Sequence, residues 1–114
     1  MHFEKHNKPN IKFSENVNSF FDELITTLFE QGYFGYIDSA FQYVSDLKNY
    51  IEMYIFVLPS YTAPRYFDKY QKGMKYITYQ ANKQTTWYIF FKQNGNRFLI
   101  CHITNNHFEG QYIR

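Results

Sequence analysis

The sequence predicts an α+β domain in which an N-terminal helical hairpin packs on an antiparallel sheet of three or four strands. Three observations carry this. Apolar residues recur at helical spacing from Val17 to Phe29 and again from Ala40 to Ile55. After Gly73 the pattern changes to short runs rich in β-branched and aromatic residues. Two of those runs, TTWYIFFK (Thr85 to Lys92) and RFLICHIT (Arg97 to Thr104), flank Asn94-Gly95. That dipeptide tolerates the positive φ of a tight hairpin turn.

NIKF, Asn10 to Phe13, reads as a short strand ahead of Ser14, a good helix N-cap. Glu15 then favours the positive end of the helix dipole. Val17, Phe20, Phe21, Leu24, Ile25, Leu28 and Phe29 form one stripe, and Gly32 stops the helix, giving about residues 14–31. The tight Tyr33–Gly35 link predicts antiparallel packing of a second helix over about 37–57, with its stripe at Ala40, Phe41, Val44, Leu47, Ile51, Tyr54 and Ile55. Pro59 ends it. Pro59 to Gly73 reads as a loop with a short helical turn near Tyr66 to Tyr70. Strands are expected near 75–81, 85–92 and 97–104. Residues 1–9 read as a flexible segment and 10–114 as one domain, in keeping with a chain of 114 residues.

With Asn94-Gly95 as the loop, Lys92 faces Arg97 and Trp87 faces His102. One face of the hairpin then holds Thr85, Trp87, Ile89, Phe91, Phe98, Ile100, His102 and Thr104. The other holds Thr86, Tyr88, Phe90, Leu99, Cys101 and Ile103. Both are apolar, and two helices cover only one. The second face therefore needs another chain, an unlike partner or a second copy in a homodimer, or it lines a site.

Several classes are excluded. The polar N-terminus has no apolar core of a signal peptide, and no run is long enough to span a bilayer, so a cytoplasmic protein without membrane contact is expected. The single Cys101 makes no internal disulfide, and the four histidines lack metal-ligand spacing, so neither metal nor cofactor is expected. There is no nucleophile elbow or phosphate-binding Gly-rich loop, and Glu52, Asp68 and Glu109 read as isolated carboxylates. Aromatic residues make up 23% of the chain, a bias that an AT-rich coding sequence produces by itself.

Charge is divided along the chain. Residues 1–64 carry a net −4 and residues 65–97 a net +6. Arg65, Lys69, Lys72, Lys75, Lys83 and Arg97 are candidate phosphate contacts, and Trp87 is a candidate for stacking on a base or lying under a partner.

IKFSENVNSFFDEL, QTTWYIFF and RFLICHITNNH, in the order strand, two helices, meander, resemble the RelE/ParE toxin superfamily. Asn105-Asn106-His107 with Tyr112 is similar to its small Bacteroides-type members. The resemblance covers about residues 10–113. It implies a toxin of a toxin–antitoxin pair, with a cognate antitoxin as partner. RelE-like members cut mRNA on the ribosome without metal, the RNA 2′-OH attacking the adjacent phosphate; ParE-like members poison gyrase. The resemblance gives His107 and Tyr112 as the acid–base pair of an endoribonuclease; His102, a lone histidine in an apolar strand and so more often structural, is a further catalytic candidate on its own residue type. The sequence departs from the family where Trp87 replaces an Arg, and where Tyr76, Thr78 and Gln80 stand on a strand that often offers Lys. The rival readings are a gyrase inhibitor and a catalytically inactive interaction module of the same fold.

Overall fold

The computed structural model describes residues 9–32 and 35–113. The expected flexible segment at residues 1–9 lies outside them, Pro9 excepted, as does most of the Tyr33–Gly35 link. The order is β1 (Asn10–Phe13), α1 (Glu15–Glu30), α2 (Ile37–Tyr54), β2 (Tyr61–Thr62), β3 (Lys75–Gln80), β4 (Thr86–Asn94) and β5 (Arg97–Asn105). Short 3-10 helices lie at Arg65–Lys69 and Gly110–Tyr112. The α+β class is as the sequence predicts. The sheet, however, has five strands in the order β1-β5-β4-β3-β2 and is mixed, because β1 runs parallel to β5. The meander β2 to β5 is antiparallel.

Ser14 caps α1, its hydroxyl accepting from the Val17 amide, and its own amide donates to the Ile100 carbonyl. The first helix is thereby fixed to β5. Val17, Phe21 and Leu24 of α1 and Val44, Leu47 and Ile51 of α2 are buried against Ile77, Trp87, Ile89, Phe91, Phe98, Ile100 and Ile103. Two hydrogen bonds align α2 with the sheet: Tyr50 donates to the Thr78 carbonyl at 2.9 Å, and Trp87 Nε1 donates to the Tyr43 hydroxyl at 2.9 Å.

The hairpin register differs from expectation in two steps. The turn residues are Gly95 and Asn96, because Asn94 pairs with Arg97. Gly95 has φ +63° and no described non-glycine residue has positive φ, so the turn follows the type II′ pattern with glycine first. Further along, Phe91 pairs with Ile100 but Phe90 with His102, which leaves Cys101 as one extra residue on β5. Up to Ile100 the faces are those predicted. Beyond the bulge they reverse: Ile103 enters the helix-side core, and His102 turns to the outer face. Trp87 therefore pairs with Asn105, and Trp87 and His102 lie on opposite faces. The bulge lets the inward series of Phe98 and Ile100 continue into Ile103 without burying an imidazole among aliphatic side chains.

The second apolar face is covered largely by this chain itself. Phe67, on the Arg65–Lys69 helix, is fully buried and stacks on Phe90 at 4.3 Å. Met74 and Cys101 complete this smaller core, with Ala63, Tyr66, Tyr76, Tyr88 and Ile113 packed around it. No helix among the described residues is long and apolar enough to cross a membrane.

Candidate functional site

The β5 bulge aims His102 outward, under the Arg65–Lys69 helix and beside the turn that follows Asn105. His102 Nε2 lies 2.7 Å from Glu109 Oε1, the one ion-pair contact among the described residues. The Tyr70 ring stacks on the imidazole at 3.7 Å and 12°, and Phe90 and Phe67 flank it at 5.8 and 6.0 Å. Tyr70 and Tyr66 hydroxyls both donate to Glu109 Oε2, at 2.6 and 3.0 Å. Tyr112 stacks on Tyr66 at 3.7 Å and 4°. Lys69 Nζ stands 3.8 Å from the centre of the Tyr66 ring and 5.5 Å from that of Tyr70. A cation over an electron-rich ring is held there by the ring quadrupole.

Burial pushes the Glu109 carboxyl up, but hydrogen bonds from Tyr70, His102, Tyr66 and Thr104 together outweigh it and hold its pKa below the ordinary value. Burial, and then the hydrogen bond to Glu109, raise the Tyr70 phenol well above its ordinary value, so Tyr70 is a donor at neutral pH. An ionised carboxylate only accepts, so this network assigns the proton of the contact to His102 Nε2. Nδ1 has no partner among the described residues. Glu109 is thus an orienting group, with its acceptor positions occupied, and His102 Nδ1 is the ring nitrogen left open among the described residues.

The other predicted residues are dispersed. His107 is exposed in the turn after β5, its Nε2 3.2 Å from Thr85 Oγ1 and its amide donating to Asn105 Oδ1. Its side chain bonds to Thr85 and not to Tyr112, so the expected pair is not brought together; Tyr112 instead belongs to the His102 cluster through Tyr66. Trp87 is 2% exposed and hydrogen-bonded within the core, which corrects its reading as a stacking or partner-facing residue. Arg65, Lys69, Lys72, Lys75, Lys83 and Arg97 all lie at the surface, Lys69 partly covered by the rings it overlies. Arg65 and Lys69 share the helix above His102. Lys72, Lys75 and Arg97 lie toward the β4–β5 turn, and Lys83 lies in the β3–β4 turn at the opposite end of the sheet.

Glu109, Tyr66 and Tyr70 escape sequence reasoning. Glu109 is far from an isolated carboxylate, as its surroundings show. It reaches His102 because β5 ends at Asn105, whose side-chain oxygen accepts from the His107 and Phe108 amides and turns the chain back. The legible signal was the Asn-rich stop after RFLICHIT. No group of His, Cys, Asp and Glu that could hold a metal occurs among the described residues. Comparison of the chain with protein-family models, with curated proteins and with solved structures gives no match.

Proposed function

We propose that the protein is a toxin-like component of a toxin–antitoxin pair that cleaves RNA without a metal, with His102 as its acid–base residue. The observation that carries this reading is the His102–Glu109 contact at 2.7 Å, held on the outer sheet face beside Tyr66, Tyr70 and Lys69. The order strand, two helices, meander, which underlies the resemblance to RelE/ParE toxins, supports it. In the proposed reaction the RNA 2′-oxygen forms a bond to phosphorus and the bond to the 5′-oxygen breaks. His102 Nδ1 takes the 2′-OH proton. Lys69 offsets charge on the crowded phosphorane. The Tyr112 phenol is the candidate donor to the departing 5′-oxygen. A cognate antitoxin is the expected partner, and the ribosome is the expected place of action.

The test uses single-stranded RNA and a chelator. His102→Gln should lower the cleavage rate by roughly a hundredfold to ten-thousandfold, and a substrate lacking the 2′-OH should not be cut. Unchanged cleavage by His102→Gln rejects the site. Pulse labelling after induced expression separates the targets: a fall in protein synthesis supports RNA, and a fall in DNA synthesis alone supports a gyrase inhibitor.

One observation favours a second reading, an inactive interaction module. Four donors converge on Glu109, and this clasp fastens the C-terminal turn to the 65–70 segment. Under that reading His102→Gln lowers stability and changes no activity.

A further inference from the structure

A second cluster lies at the β4–β5 turn end of the sheet. Asn10, Lys12, Lys92, Gln93, Asn94, Arg97, Phe98 and Leu99 line a cleft of about 470 Å³, inside the range of about 300–1,000 Å³ common for ligand pockets. Lys92 and Gln93 also line a second hollow, with Gly73 and Lys75. None of these lining residues is acidic. The single ion pair among the described residues is His102–Glu109, so Lys12, Lys75, Lys92 and Arg97 have no described carboxylate within 4.0 Å.

Lys92 is built in. It is half-buried, and its Nζ donates to the Lys72 carbonyl at 3.1 Å. Gly73 lies against it with φ +73°, and a Cβ there would stand 3.0 Å from Nζ. The bare glycine gives the ammonium its seat. Lys12 and Arg97 lie on neighbouring strands, both exposed. Strand alternation places both, with Lys92, on the outer face, which is also the face of His102. Between them Leu99 is 43% exposed, an apolar surface beside three cations.

Cations with no described carboxylate beside them, set around an apolar surface, match a chain that carries phosphates and open base faces together. We propose that this end of the sheet binds backbone phosphates of single-stranded RNA, with Lys92 as the fixed cation, Lys12 and Arg97 as its flanks, and a base over Leu99. A duplex hides its base faces and gains nothing from Leu99. The proposal deepens the RNA reading above and rests on it for the choice of polymer.

The experiment measures binding of a short fluorescent 2′-O-methyl RNA, which cannot be cut by 2′-OH attack, as salt is raised between about 50 and 200 mM. Binding is thereby independent of cleavage. In Lys12→Gln/Lys92→Gln/Arg97→Gln the slope of log affinity against log salt should become shallower by about 2, at about 0.7 per phosphate contact. The double variant Lys12→Gln/Arg97→Gln, at two surface positions, should lose about 1.4 of slope and keeps the test valid if Lys92→Gln unfolds the site. Lys83→Gln, at the opposite end, should leave the slope unchanged. Leu99→Ser should weaken single-strand binding with the slope kept. Overturning results are no binding at low salt, an unchanged slope in the double variant, a Lys83→Gln loss of equal size, or duplex RNA bound as tightly as single strand. Binding that follows these variants, with natural RNA left uncut by the wild-type protein, rejects the nuclease reading and retains this one.

Discussion

Trp87 fills the space between α2 and the sheet and donates its indole N–H to Tyr43. Trp87→Ala should cost roughly 3–5 kcal/mol, through lost transfer energy and the cavity left behind. Denaturant unfolding checks this; a loss below about 1 kcal/mol would place the indole outside the core. On the opposite face, Glu109→Gln keeps the size of the side chain but puts an amide N–H₂ where an oxygen accepts. Tyr66 and Tyr70 share Glu109 Oε2, so losing that acceptor should cost roughly 1–3 kcal/mol. On the proposed RNA reading, the cleavage rate should fall as well, because His102 loses its orienting partner. Rescue of the rate by Glu109→Asp with stability restored but His102→Gln still inactive would separate positioning from chemistry.

The β4–β5 hairpin is the element that decides where chemistry can lie. Its turn depends on Gly95 at φ +63°. Alanine there adopts a left-handed conformation at a cost of roughly 1–2 kcal/mol. Gly35 has no positive φ and open space around its missing Cβ, so Gly35→Ala should change stability by less than about 0.5 kcal/mol. Thermal melts of the two variants compare them directly, and equal effects would reject the turn assignment. The bulge at Cys101 is the second device in the hairpin. Deleting Cys101 removes the extra residue, so strict alternation then keeps Ile100 and Ile103 inward and His102 outward. Cooperative unfolding should survive the deletion, read by calorimetry, and its loss would reject the bulge assignment.

For the whole molecule, proton linkage sets both ends of the stability profile. The Glu109 pKa is lower in the folded chain than its ordinary 4.5. Its contribution is complete above that value and is lost as pH falls through the folded pKa. The phenols of Tyr50, Tyr70, Tyr76 and Tyr79 are raised above 10.0, in each case first by burial. Their contribution is complete below pH 10.0 and declines as pH rises above it, because the unfolded chain releases those protons first. Urea midpoints measured across pH should therefore fall below about pH 4.5 and above about pH 10, and Glu109→Gln should flatten the acid limb and, because Glu109 helps raise Tyr70, the Tyr70 part of the alkaline limb. An acid limb unchanged by that substitution would remove Glu109 as its source.

Periodicity in the sequence was enough for the elements and for one face of the sheet. The stripes at Val17, Phe21 and Leu24 and at Val44, Leu47 and Ile51 are local patterns, and each residue is buried as its spacing requires. Ser14 and Gly32 marked the ends of α1 for the same local reason. What lay beyond reach depended on contacts between distant residues. The parallel pairing of β1 with β5 joins Asn10 to Arg97, and no local pattern encodes it. The Cys101 bulge arises because Ile103 gains more from the core than His102 does, a choice visible only once both faces have neighbours. Phe67, read as part of a loop, closes the outer face because a 3-10 turn carries it over Phe90. Glu109 meets His102 only after the Asn105 turn reverses the chain. The sequence by itself determined the helices, the strands and the supply of cations; tertiary structure decided which of them meet, because pairing across long separations follows the total burial and hydrogen bonding of the folded chain.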